Sequence, residues 1–228
     1  MNIDWASMTK ELLDGMWMTC GIFFLTLIFS LPLGLLVAKA RMSKNIIIKN
    51  VSRIYISVMR GTPLMLQLLV VYFGPYFLFK IPLNKLDIGF IPDLDFSFTA
   101  TIIAFAINYA AYFAEIYRSG IESVEAGQYE AAHVLGFSKT QTFFKIILPQ
   151  TIKRILPSVT NEVITLVKDT SLAFAISVVE MFTISKQLAS QEASLLPYLM
   201  AGVFYYVFNA LVAFVMERIE KHYSYYTI

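Results

Sequence analysis

Four stretches without a single charged residue constrain this chain more than any other feature: residues 15–38, 61–79, 96–114 and 193–216. They run 24, 19, 19 and 24 residues, and a helix needs about 20 to cross the ~30 Å hydrocarbon core of a bilayer. Composition points the same way, with 57% hydrophobic and 15% charged residues against roughly 45–50% and about 25% in a soluble domain. The expected class is an all-α membrane protein. A net charge of +2 is too small to suggest a nucleic-acid partner. A single cysteine, Cys20, excludes an internal disulfide, and His133 and His222 have no partners at metal-ligand spacing, so no metal site is expected. No G-x-x-x-x-G-K occurs, so the chain itself is expected to bind no ATP and no other cofactor.

The first apolar run is too long for a signal peptide and is preceded by Asp4, Glu11 and Asp14 against Lys10, despite the A-x-A form of residues 38–40. It reads as a retained helix over about 17–38. Further spans are expected over about 60–79, 97–117 and 196–216. A fourth in chain order, 156–180, is long enough to span but carries Glu162, Lys168 and Asp169. Each such charge costs ~2.5–3.5 kcal/mol at mid-bilayer on insertion scales. Counting it gives five spans with the N-terminus outside and the C-terminus cytoplasmic. Lys and Arg then divide 13 inside to 4 outside, with Lys168 in the membrane, as the positive-inside rule requires. The units are an extracytoplasmic segment 1–15, a transmembrane domain 16–217 and a cytoplasmic tail 218–228.

Polar residues inside these helices fall at helical spacing. Ser158, Glu162, Thr165 and Asp169 share one face, and Thr101, Asn108, Tyr112 and Glu115 share another. Intramembrane polar groups normally face the bundle interior or a wet cavity, so two such faces suggest a path for a hydrophilic solute. Glu115 lies three residues before Arg118 and is equally placed to pair with it. Glu162 is close enough to the inner edge to be a solvated end residue. Asp169, ~20 Å along the helix from Leu156 at 1.5 Å per residue, is the ionisable group best placed for a transport site. Glu115 follows it, and Gln67, Asn108 and Thr170 are weaker candidates.

The longest polar interruption, residues 127–150, reads as two short helices joined by a sharp turn. Gly136 suits a left-handed C-cap, Ser138 and Gln141 have capping-box spacing, and Pro149 is expected to stop the second helix. From its residues alone this segment is either a docking loop or an amphipathic hairpin on the membrane surface. Gly127, Gln128, Glu130, Ala131, Ala132, Gly136 and Pro149 resemble the EAA loop of bacterial ABC importer permeases. Arg60-Gly61-Thr62-Pro63-Leu64 with Gln67 is similar to the RGTP stretch of amino-acid permeases of the histidine/glutamine type. Tyr112-Phe113-Ala114-Glu115 and Lys168-Asp169-Thr170-Ser171-Leu172 resemble that branch's Y-x-A-E and KDTSL segments. Ser119 and Thr151 depart from its usual Gly and Ala.

The resemblance implies a type I ABC importer transmembrane domain in the bacterial cytoplasmic membrane. Its partners would be ATPase subunits that bind the ATP and dock on the loop, a second permease of the same or a related kind, an extracytoplasmic solute-binding protein, membrane lipid, and a polar amino acid or cystine as cargo. It further implies that Glu115 and Asp169 lie near the translocation path. The competing reading is a stand-alone secondary transporter or channel for a small polar solute, although five dissimilar spans give no sign of the inverted repeats common in such folds. No nucleophile–base pair supports an enzyme.

Overall fold

A computed structural model describes residues 5–81 and 95–223. Most of the expected connection over 80–95 lies outside the described residues. Among those residues the chain is all helical: α1 (Trp5–Arg41), α2 (Ile46–Gly61), α3 (Leu64–Phe79), α4 (Phe96–Glu122), α5 (Ala126–Val134), α6 (Lys139–Thr142), α7 (Leu148–Asp169), α8 (Met181–Gln191) and α9 (Leu196–Tyr223). A π-turn, Phe143–Ile147, joins α6 to α7, and a 3-10 turn, Thr170–Ile176, follows α7.

The centre of the bundle is α4. Its buried face is rich in alanine (Ala100, Ala104, Ala106, Ala110, Ala111 and Ala114). In a bilayer no hydrophobic force draws helices together, so close approach over small residues supplies the packing. At Gly34 of α1 an added Cβ would lie 2.8 Å from Phe113 Cβ and 3.1 Å from the Ala110 carbonyl oxygen. Ile22, Phe23, Leu68, Phe105, Phe113, Leu166 and Val167 complete a core drawn from α1, α3, α4 and α7.

Helix α1 begins at Trp5 rather than near residue 17. Met8 and Leu12, one turn apart, bury with Met181 and Leu188 of α8 and Ala201 of α9. That packing continues the helix through the acidic stretch.

The helix expected over 60–79 occurs as α3, beginning at Leu64, and an unexpected helix, α2, precedes it at a bend of 110°. Pro63 disfavours helical geometry at the residue before it, and Thr62 is extended, with φ −123° and ψ 148°. Asn45 caps α2, its side chain accepting from the Ile47 amide at 2.9 Å. Lys49 and Arg53 hid α2 from a search for uncharged runs.

The expected helix over 156–180 is also corrected. It starts earlier, at Leu148, and its α-helical part ends at Asp169. Thr170 and Ser171 hydroxyls donate back to the Val167 and Lys168 carbonyls, each at 2.7 Å, competing with the regular ladder. Glu180, expected inside that helix, is the buried N-cap of α8. It accepts from the Phe182 and Thr183 amides at 2.8 and 2.7 Å and from the Tyr205 hydroxyl at 2.9 Å.

Among the described residues three helices, α1, α4 and α9, are long and apolar enough to cross a membrane, and the bent α2–α3 pair makes a fourth if counted as one span. The α1–α4 contact yields a direct test. Gly34→Val should overpack it, at a cost of about 1–3 kcal/mol, and lower the apparent melting temperature of the purified protein. Gly21→Ala, whose Cβ would meet Phe98 at an ordinary 3.7 Å, should leave it unchanged.

Candidate functional site

Residues 126–150 form a corner built from local rules. Helix α5 ends in a Schellman motif: the Gly136 amide donates to the His133 carbonyl and the Phe137 amide to that of Ala132, both at 3.0 Å. Gly136 takes φ +80°, the left-handed region where a Cβ is penalised. Ser138 then caps α6 in a full capping box, the Ser138 amide donating to Gln141 Oε1 at 2.9 Å and the Gln141 amide to Ser138 Oγ at 3.3 Å.

Pro149 does not stop the second helix. It sits in the first turn of α7, where a missing N–H costs nothing. The preceding π-turn bonds the Leu148 amide to the Phe143 carbonyl, five residues back, and this wider turn accommodates the ring. The corner is tied to the bundle by Gln150 Nε2, which donates to Gln128 Oε1 at 3.3 Å. Arg154 also donates to the Ser123 carbonyl and hydroxyl.

Gly127, Gln128, Glu130 and Ala131 are exposed, whereas Ala132 is buried in the chain's own hairpin. The sequence reading missed the apolar side chains beside them. Val134 is 85% exposed, Leu135 73% and Phe144 61%, a patch in search of a partner. Their position on either side of the Gly136 turn was the available signal.

The second group of candidates lies in the bundle. Asp169, half-buried at the end of α7, accepts a 2.7 Å hydrogen bond from the Tyr109 hydroxyl of α4. Tyr109 was missed; it lies one turn before Tyr112, its ring centroid 6.1 Å away. The Arg60 guanidinium sits 5.2 Å over the Tyr112 ring. Asp169, Tyr109, Tyr112 and Arg60 thus form a polar chain from α7 across α4 to the α2–α3 elbow.

The remaining candidates are engaged elsewhere. Asn108 Nδ2 donates to Gln67 Oε1 at 2.9 Å and to the Met59 carbonyl at 3.1 Å. Gln67 Nε2 donates to the Met59 and Thr62 carbonyls and to the Thr62 hydroxyl at 3.0, 3.1 and 2.8 Å. This pair clasps the elbow and satisfies the carbonyls at the end of α2. Thr170 is buried and turned onto its own backbone. Glu115 pairs with Arg118, which also binds Glu122. Of the five path candidates, Asp169 alone has a carboxylate without a basic partner within ion-pair distance among the described residues.

A family model for the binding-protein-dependent transport system inner membrane component matches residues 30–225. The chain belongs to that family. It is 37% identical over 217 residues to a probable amino-acid ABC transporter permease of Bacillus subtilis (strain 168), covering 94% of this chain and 89% of that one. An L-cystine transport system permease of the same organism is 34% identical over 209 residues, 91% of this chain and 84% of the other. Among solved structures, an amino acid ABC transporter crystallised with histidines superposes with a TM-score of 0.82 at 34% identity, covering 97% of this chain and all of that one. The fold is that of a type I ABC importer membrane subunit, and the chain is a transport permease rather than an enzyme.

The corner geometry makes a prediction independent of cargo. Replacing Gly136 by Ala should cost ~1 kcal/mol or more at its positive φ. Gly136→Val should in addition re-aim α6. Circular dichroism should show the bundle helices retained in both variants, while limited proteolysis of residues 126–147 accelerates. Unchanged proteolysis would contradict the assigned geometry.

Proposed function

We propose that this chain is the permease subunit of an ATP-driven importer for a polar amino acid or cystine in the bacterial cytoplasmic membrane. The observation that carries the reading is the corner of residues 127–150: a rigid Schellman-plus-capping-box turn presenting Val134, Leu135 and Phe144 uncovered. A separate ATPase subunit docks there and binds the ATP. An extracytoplasmic solute-binding protein delivers the amino acid, and a second permease subunit completes the membrane path.

The topology we infer has five spans, α1, the α2–α3 pair, α4, α7 and α9, with the N-terminus outside. The 13-to-4 division of Lys and Arg supports it, as does the packing of α7 against both α4 and α9. Asp169 and Tyr109 are the groups we place at the cargo. The carboxylate is suited to an α-ammonium, which every amino acid carries, so the pair does not imply a cationic side chain.

Two outcomes are expected. Asp169→Asn should lower binding-protein-dependent uptake in proteoliposomes by at least tenfold while the ATPase still co-purifies in full amount; loss of assembly would make Asp169 a structural group instead. A cysteine at Lys186 should react with a membrane-impermeant reagent from outside and one at Ser138 only after permeabilisation, and the reverse pattern would exclude the five-span model. Gradient-driven uptake by this chain alone, without ATP, would favour a stand-alone transporter.

A further inference from the structure

Helix α2 is divided into three faces. Ser52, Tyr55, Ile56 and Met59 pack inward, Ile56 against Ala38, Ala111 and Ala114 of α1 and α4. Ile47, Val51, Ile54 and Val58, at successive spacings of 4, 3 and 4, form an uncovered apolar stripe with exposures of 69%, 61%, 60% and 48%. The third face is basic, with Lys49 and Arg53 exposed and Lys44 exposed just before the helix. No Asp or Glu occurs between Asp14 and Asp87, and none of these three cations has an ion pair among the described residues.

The helix is also inclined. Its last turns touch the middle of α4, where the Tyr55 hydroxyl donates to the Ile107 carbonyl at 2.5 Å and Asn108 donates to that of Met59. Its first turn follows closely on Lys39 and Arg41 at the end of α1 and on Lys44 in the connecting turn. With α4 spanning the bilayer, as the proposed topology has it, α2 runs from the membrane edge toward its interior. The basic groups are then at headgroup level and the apolar stripe descends among acyl chains.

We propose that α2 is a binding site for an anionic phospholipid. The phosphate and its net negative charge sit on Lys44, Lys49 and Arg53, and one acyl chain lies along Ile47, Val51, Ile54 and Val58. A zwitterionic lipid offers the same chains but no net charge to three cations. Each Lys or Arg near an anionic surface contributes about fivefold to association, and together they discriminate between headgroups that the apolar stripe cannot distinguish. A second copy of this chain docking symmetrically on the stripe would bring like charges together. The bound lipid rests on the helix that ends at the elbow, and so bears on the position of Arg60.

The test uses the assembled transporter, co-purified with its ATPase and exchanged into equal amounts of phosphatidylglycerol and phosphatidylcholine. Native mass spectrometry then counts retained lipids. The wild type should retain phosphatidylglycerol over phosphatidylcholine by at least tenfold. The K44Q/K49Q/R53Q variant should lose that preference, while K10Q/K80Q/K186Q, with the same charge change elsewhere, keeps it. In bilayers, a fluorophore on Val51→Cys should be quenched by a lipid-soluble quencher. Equal retention of the two lipids by the wild type, or equal loss in both triple variants, would overturn the proposal. So would a Val51 label shielded from the quencher, because a protein surface would then cover the stripe. ATPase co-purification is scored separately, so failure of the transporter reading is distinguishable from failure of the lipid site.

Discussion

The clasp of Asn108 and Gln67 around the end of α2 is the interaction on which the membrane part of this protein depends. A helix interrupted inside a bilayer leaves carbonyl and amide groups with no water to satisfy them, at several kcal/mol per group. Here the Met59 carbonyl accepts from both side-chain amides, and the Thr62 carbonyl and hydroxyl are held by Gln67. The 110° elbow that Pro63 imposes becomes a fixed corner. With it fixed, Arg60 lies over Tyr112, and α3 returns along α4, its Tyr72 ring stacked 5.7 Å from that of Phe96. The same requirement explains Glu180, whose carboxylate takes the two free amides of α8 and ties them to Tyr205 of α9.

The two candidate regions are the two ends of one rod. Helix α7 begins at the corner of residues 127–150 and ends at Asp169, a helix of 22 residues, about 30 Å at 1.5 Å per residue. Gln150 locks its first turn to the corner through Gln128, and Arg154 ties it to Ser123 at the end of α4. The Tyr109–Asp169 bond locks its last turn to α4. Under the proposed function, a displacement of the corner by a docked ATPase would reach Asp169 through one continuous helix.

The sequence was most legible where the determinants were local. The left-handed Gly136 and the Ser138–Gln141 box follow from residue chemistry within a few positions, and both occur as read. The apolar runs that became α1, α4 and α9 carry their own signal. Two readings failed because a distant or competing interaction decided them. Lys49 and Arg53 concealed α2, which is stable because its inner face packs on Ala38 and Ala111. Pro149 was read as a stop, but a π-turn before it removed the clash. Gln67, Asn108 and Thr170 each donate to backbone carbonyls, a role that polarity in a membrane helix signals as readily as a place on a solute path. Tyr109, which does reach Asp169, was passed over because Tyr in an apolar run is indistinguishable from packing.

We propose the corner around Gly136 as the docking surface for an ATPase. Cryo-electron microscopy of the complex purified through this chain from its native membrane tests it most directly. The expected result is an ATPase subunit seated on α5, with Val134, Leu135 and Phe144 losing most of their exposure and Gly136 still at positive φ. A complex in which those three side chains remain in solvent, or lie in the lipid headgroups with no subunit beneath them, would contradict it.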